Sequence, residues 1–402
     1  MYFVTSCDKI IISINEEEQT MTMADIKYIG VDDLDIDIFE GQYPVKDGMS
    51  YNSYVILDEK IAVLDTVDGS FIDEWMNKLK AVLDTRKPDY LIVQHMEPDH
   101  SAGIARFMEE YPEAVIVSSM MAFNIMKGYF NTDYADRRII SKEGDTLSLG
   151  RHTLSFIAAP MVHWPEVMLT YDTTDKVLFS ADAFGQFGAL SRTGLNIDEA
   201  RRYYIGIVGK FGLQVEALLK KAAGIEIKAV FPLHGPIITD ELPLLLDHYK
   251  LWAGYESECD DCIIAYTSVY GHTAQIVSML ASEIESRGRR ALVYDLARTD
   301  HSIVLAEAFR AGTLILASTT YNTGVFPAMR SFIDTLVEHG YKNRTVGIIE
   351  NGSWAPTAAK VMKAKFENSQ GIRFLENSIT LKGGISSENI EALKAMADEI
   401  CS

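Results

Sequence analysis

Between Tyr90 and His100 the chain passes from an apolar strand into four potential metal ligands, and this transition restricts the fold more than any other stretch. Tyr90-Leu91-Ile92-Val93-Gln94 is β-prone and reads as a buried strand. His95, Glu97, Asp99 and His100 follow within six residues. Pro98 argues against a helix here, which puts the ligand types on a strand end or in the loop after it. An extended chain, with its side-chain period of two, points His95, Glu97 and Asp99 the same way. Two carboxylates and two imidazoles without a thiolate argue against a structural zinc site and suit iron or manganese better than zinc. Buried together, such groups are disfavoured unless a cation neutralises them.

Three later apolar runs end in the same fashion. His163 follows Ala159-Pro160-Met161-Val162, Asp182 follows Leu178-Phe179-Ser180-Ala181, and His234 follows Val230-Phe231-Pro232-Leu233. Each alone is an ordinary capping or core polar group. Together with the first cluster they supply enough ligands for two ions. Asp182, standing between the two later histidines, is the candidate bridge. Two ions about 3.5–4 Å apart can hold one small molecule between them.

The surrounding pattern, from about Ile26 to Gly235, is strand-rich. Strands are predicted at 51–57, 61–66, 114–118, 138–141, 153–158, 167–171, 177–180 and 229–233. Phe71, Trp75, Leu79 and Leu83 recur at helical spacing, and helices are predicted at 122–129 and 239–255. A chain of 402 residues exceeds what one core usually serves, so two domains are expected, divided at the polar junction Glu256-Ser257-Glu258. The formal net charge of −20 argues against a nucleic-acid partner. No apolar run is long enough to span a membrane. Four cysteines, Cys7, Cys259, Cys262 and Cys401, form neither a disulfide framework nor a four-thiolate site. Cys262 reads as a small apolar residue entering a strand. Residues 1–22 lack the pattern of a signal peptide. They are expected to be a poorly packed extension, or to precede a natural start at Met21 or Met23. A cytoplasmic protein is expected.

After residue 256 the pattern becomes strand and helix in alternation. Strands are predicted at 262–266, 291–294, 313–317, 345–349 and 374–379. Helices are predicted around Ile276 to Ile284 and at 302–309, 325–337, 355–366 and 389–400. This alternation predicts a doubly wound parallel sheet that binds ligands at the carboxyl ends of its strands. Three loops lie at such ends. The first, Thr267-Ser268-Val269-Tyr270-Gly271-His272-Thr273, offers hydroxyls and a helix start suited to a monophosphate. It lacks the glycines and lysine of the common nucleotide loops, and His272 is given no chemistry. The second, Ser318-Thr319-Thr320-Tyr321-Asn322-Thr323-Gly324, and the third, Asn351-Gly352-Ser353-Trp354, add amides and two aromatics, Tyr321 and Trp354, that suit a flat ring.

With both halves in this order, the chain resembles the flavodiiron proteins, also called A-type flavoproteins, from about Met23 to Ser402. The first part, 23–255, is similar to the metallo-β-lactamase αββα sandwich, with Glu97 where the zinc hydrolases carry the second histidine of H-x-H-x-D-H. The second part, 256–402, is similar to flavodoxin. The resemblance implies a diiron centre in which His95, Glu97 and His163 hold one iron, Asp99, His100 and His234 the other, and Asp182 bridges. It implies FMN at the three loops, and reduction of dioxygen to water, nitric oxide to nitrous oxide, or both. It further implies a head-to-tail homodimer or dimer of dimers. A separate rubredoxin is the expected electron donor, ahead of a deazaflavin or a flavin reductase. The readings this displaces are a zinc-type metallohydrolase fused to a flavodoxin domain, and a flavodoxin-like electron carrier without gas chemistry.

Overall fold

A computed structural model describes residues 23–402; the expectations for residues 1–22 lie outside the described residues. The first half holds two sheets face to face. One has six strands, in the order Ile26–Tyr28, Tyr54–Leu57, Ile61–Leu64, Tyr90–Ile92, Val115–Ser118 and Arg138–Ile140. The other has five: Thr146–Ser148, Thr153–Ala158, Met168–Asp172, Val177–Phe179 and Ala229–Phe231. Strand alternation explains why these segments read as continuous apolar runs. Ile56, Leu64 and Ile92 point between the sheets, toward Leu154, Phe156 and Phe231. Val55, Val63 and Leu91 point the other way, under Trp75, Leu79, Phe107 and Phe123. Both faces of the six-stranded sheet are therefore buried.

Helices close the outside. Ile72–Leu83 begins with Asp73 and Glu74 in its first turn and buries Trp75, Met76, Leu79 and Leu83. This is the spacing-of-four stripe read from the sequence. Gly212–Ala222 and Leu242–Gly254 cover the five-stranded sheet through Val215, Leu218, Leu245 and Tyr249. The architecture is the αββα sandwich.

The second half is a parallel sheet ordered Ala291–Asp295, Cys259–Tyr266, Ala311–Tyr321, Thr345–Asn351, then two short strands, Arg373–Phe374 and Ile379–Leu381. The expected single strand at 374–379 is thus two pieces, each paired separately with Thr345–Asn351. His272–Ser286 and Ser387–Cys401 pack on one face. His301–Arg310, Pro327–Glu338 and Ala358–Lys365 pack on the other. The second strand lies on one side of the first and the third on the other, so the sheet reverses its winding between 259–266 and 311–321, the position where doubly wound folds bind ligands. Cys262 is fully buried on its strand.

The halves are joined through side chains. One apolar core includes Val215, Tyr249 and Trp252 of the first half and Val304, Phe309 and Phe332 of the second. Glu258 accepts from Arg201 Nη2 at 2.8 Å and from Trp252 Nε1 at 2.7 Å. His339 Nε2 lies 3.2 Å from the Gly206 carbonyl. Among the described residues, no helix is long and apolar enough to cross a membrane.

Candidate metal centre and cofactor cleft

The strand after which the ligand types were expected ends at Ile92, and the chain runs irregularly from Val93 to Glu97 before turning into a short helix, Pro98–Ser101. The sequence reading of Pro98 as helix-excluding is corrected here. Proline occupies the first turn, where its missing N–H has no helical partner to lose. The turn also divides the ligands. His95 and Glu97 fall in one group with His163 and Asp182; Asp99 is carried round to a second group with His100 and His234. The extended geometry expected to point His95, Glu97 and Asp99 together holds only as far as Glu97.

Supporting side chains fix these loops. Buried Asp65 accepts from the backbone N–H of Gln94 at 2.7 Å and from its Nε2 at 2.8 Å. Thr66 Oγ1 donates to the His100 carbonyl at 2.7 Å and accepts from Gly103 N–H at 3.0 Å. Trp164 sets its ring edge-on to His95, with centroids 5.2 Å apart.

The seven expected ligand types meet. Asp182 shares its two oxygens between the groups. Oδ2 lies 3.2 Å from His95 Nε2 and 3.0 Å from His163 Nε2, and Oδ1 lies 3.4 Å from His100 Nε2 and 3.7 Å from His234 Nε2. Glu97 Oε2 is 3.1 Å from both His95 and His163. Asp99 Oδ2 is 3.1 Å from His100 and 3.2 Å from His234. The Nε2 atoms of His100 and His234 face each other at 3.0 Å. Two ring nitrogens so placed have only a proton or a metal ion to share. Both oxygens of Asp99 and Oδ1 of Asp182 are buried without a hydrogen bond, as expected of ligands aimed at a common point.

Electrostatics agree with that reading. Burial opposes a charged ring, yet Asp99 and Asp182 push His100 up to about 10, and Asp182 and Glu97 push His163 up to about 9 against the same opposition. Burial would raise the carboxyls, but the histidines hold Glu97, Asp99 and Asp182 below the ordinary carboxylate range. The protons occupy the role of cations, and metal binding would release them. Four imidazoles and three carboxylates fit a pair of iron ions. A cavity of about 400 Å³, lined by Glu40, Glu97, His163, Trp164, Gly206 and Ile207, opens onto the centre. Glu40 was not singled out by the sequence; loss of solvation and then Glu97 push its carboxyl up to about 7.

A second cavity, of about 500 Å³, lies over the parallel sheet. Ser268, Tyr270, His272 and Thr273 of the first expected loop line it, as do Thr319, Tyr321, Asn322 and Thr323 of the second and Asn351, Gly352, Ser353 and Trp354 of the third. Thr267 and Ser318 lie behind this lining, bonded to each other at 3.0 Å. Gly271 and Gly324 do not line it either. Gly271, at φ +93°, instead turns the chain into helix His272–Ser286. Ser268 Oγ accepts from the N–H groups of Gly271 and Ala274, at 3.1 and 3.3 Å. Both amides are thereby occupied by the hydroxyl, which ties the loop to the start of the helix. Tyr270 and Trp354 are 91% and 92% exposed, leaving whole ring faces free to stack. Gly352 permits the approach of Pro356, whose Cα would lie 2.7 Å from an added Cβ. Among the described residues, no arginine or lysine lines the cleft.

A third cluster, His152, Asp172 and Asp175, was not singled out in the sequence. His152 Nδ1 bonds Asp172 Oδ2 at 2.7 Å, and Arg151 holds both oxygens of Asp175. Its charges are already paired.

Comparison with known proteins gives a consistent family. The sequence pattern described as "ODP family beta lactamase" matches residues 49–235. A nitric oxide reductase of Moorella thermoacetica is 31% identical over 352 residues, covering 85% of this chain and 88% of that protein. Among solved structures, rubredoxin oxygen:oxidoreductase of Desulfovibrio gigas superposes with a TM-score of 0.88 at 26% identity, covering 94% of this chain and 96% of that one. The flavodiiron protein of Giardia intestinalis gives 0.87 at 26% identity, covering 94% of each chain.

Proposed function

Because the chain belongs to the flavodiiron protein family, we propose that it is an oxidoreductase that reduces dioxygen, nitric oxide or both at a paired-iron centre fed through FMN. The observation that carries this reading is the splitting of Asp182 between two ligand groups, with Oδ2 facing His95 and His163 and Oδ1 facing His100 and His234. His95, Glu97 and His163 hold one iron in this reading, Asp99, His100 and His234 hold the other, and Asp182 bridges. FMN, when bound, accepts electrons in pairs and passes them on singly, while the irons bind and reduce the gas.

The chain's own residues do the rest. Glu97 and His163 form part of the cavity wall, so a small gas reaches the centre without crossing the core. Trp164 shields His95 from water. In the second cavity the hydroxyls of Ser268 and Thr273, at the start of helix His272–Ser286, would hold the FMN phosphate, and Tyr270, Tyr321 and Trp354 would flank its ring. We treat 23–255 and 256–402 as the iron and flavin domains. We read the working unit as a head-to-tail dimer or dimer of dimers, because the exposed Tyr270 and Trp354 offer the kind of face a partner covers. Rubredoxin is our choice of donor; the D. gigas protein is named for that partner. The three described cysteines are free thiols, in keeping with a cytoplasmic setting.

The test is metal and flavin content joined to gas turnover. Two irons and one FMN per chain are expected, and His163→Ala is expected to keep FMN while losing gas consumption. Undiminished turnover in that variant overturns the reading. Two zinc ions with no reductive chemistry favour a hydrolase instead.

A further inference from the structure

The two ligand groups differ in what stands behind their rings. Glu166 lies three residues after His163, and its side chain is fully buried. Oε1 lies 2.8 Å from His95 Nδ1 and accepts from the Met96 N–H at 2.9 Å. Oε2 has no hydrogen-bond partner. Among the described residues, no lysine or arginine pairs with this carboxylate. A buried carboxylate so placed is strongly disfavoured unless positive charge reaches it. The available route is through His95, whose Nε2 faces Glu97 and Asp182 in the first metal group.

In the second group, His234 Nδ1 meets the neutral Ser50 carbonyl at 2.6 Å. His100 Nδ1 is buried with no partner at all. A carboxylate behind an imidazole fixes its tautomer and makes the other nitrogen a stronger donor to a metal, more so than a neutral carbonyl does. A stronger donor favours the ferric over the ferrous ion.

We propose that Glu166 is a positioning residue that makes the two metal positions unequal, so that the ion held by His95, Glu97 and His163 is the more easily oxidised. This rests on the diiron reading. In the one-electron step, the ferrous ion of that group becomes ferric and its electron passes to the oxidant of a redox titration. The N–H···O bond between His95 and Glu166 persists, and no proton leaves it. The centre with one ferric and one ferrous ion then has its ferric ion fixed on the Glu166 side. The bond to Met96 N–H adds a mechanical role, because it holds the backbone between His95 and Glu97.

The experiment is an anaerobic redox titration of the iron- and FMN-loaded protein, with the mixed-valent state followed by EPR and each iron by Mössbauer spectroscopy. Wild type is expected to show two separated one-electron steps and to accumulate the mixed-valent signal. Glu166→Gln keeps the shape but drops the charge. It is expected to raise the lower step and reduce the comproportionation constant about tenfold, equivalent to about 59 mV for one electron. Glu166→Asp, which retains the charge, should retain most of the separation. An unchanged separation in Glu166→Gln with both irons bound overturns the proposal.

If Glu166→Gln holds less than two irons, cobalt(II) titration of the metal-free protein decides. Binding should weaken about 10- to 100-fold at one of two sites and recover in Glu166→Asp; equal weakening at both sites overturns the proposal. Wild type that binds no iron pair removes the diiron reading instead, and the same cobalt titration still reports on Glu166.

Discussion

Asp182 is the residue on which the two ligand groups depend jointly, since each of its oxygens faces a different pair of rings. Asp182→Asn is therefore expected to lower iron below one per chain while FMN loading stays unchanged; metal and flavin analysis of one sample checks both. His152 makes a different prediction, about pH. Burial opposes its charge, the hydrogen bond and charge of Asp172 together with the charge of Asp175 outweigh that opposition, and the net shift is upward. A raised histidine stabilises the fold fully below the ordinary value near about 6.5 and loses that contribution as pH rises through its folded value. Denaturation of His152→Gln against wild type should thus show a deficit of about 1–3 kcal/mol in acid that shrinks in alkali. At this scale the sequence was informative where a polar residue ends an apolar run, as at His163, Asp182 and His234. It was silent on Glu166, because an acid after Trp164-Pro165 looks like any turn residue until its partner, 71 positions away, is known. Asp65 and Glu40 were missed for the same reason.

Element-scale reading succeeded where periodicity was strong. The helix Ile72–Leu83 follows its stripe, and the parallel strands of the second half fall close to their apolar runs. It failed where local chemistry admits two outcomes. Pro98 is as compatible with the first turn of a helix as with a loop. The helices Ile104–Glu110 and Ile197–Tyr203 are short, and most of their stability comes from tertiary packing. The junction between the halves is held by Arg201, buried and paired with Glu258, which also takes the Trp252 N–H. Glu258→Gln leaves buried Arg201 with the exposed carboxylate of Asp198, 2.7 Å away, as its remaining partner, and a loss of about 3 kcal/mol, the lower end for a broken buried pair, is expected. Urea unfolding followed by tryptophan fluorescence measures it; a loss within about 0.5 kcal/mol, the range of ordinary surface substitutions, would contradict the role given to this pair.

At the scale of the whole molecule, metal centre and flavin cleft sit on different sheets, and electrons must cross between them. If they cross between chains, two inactive variants should complement each other. His163→Ala, lacking the iron centre, mixed and re-assembled with a chain whose cleft wall is displaced by Gly352→Val, which pushes against Pro356, should recover part of the gas consumption. No recovery in a sample proven to contain mixed dimers places the transfer within one chain. The central claim, that seven side chains from scattered strand ends hold two irons which flavin electrons reach, has a single direct measurement. Fully reduced, iron-loaded protein is mixed anaerobically with dioxygen or nitric oxide in a stopped-flow instrument while the flavin absorbance is followed. The flavin should reoxidise at a rate that depends on the gas and disappears in Asp182→Asn. Reoxidation that proceeds equally in Asp182→Asn, or a reduced flavin that ignores both gases in the iron-loaded protein, would contradict the account.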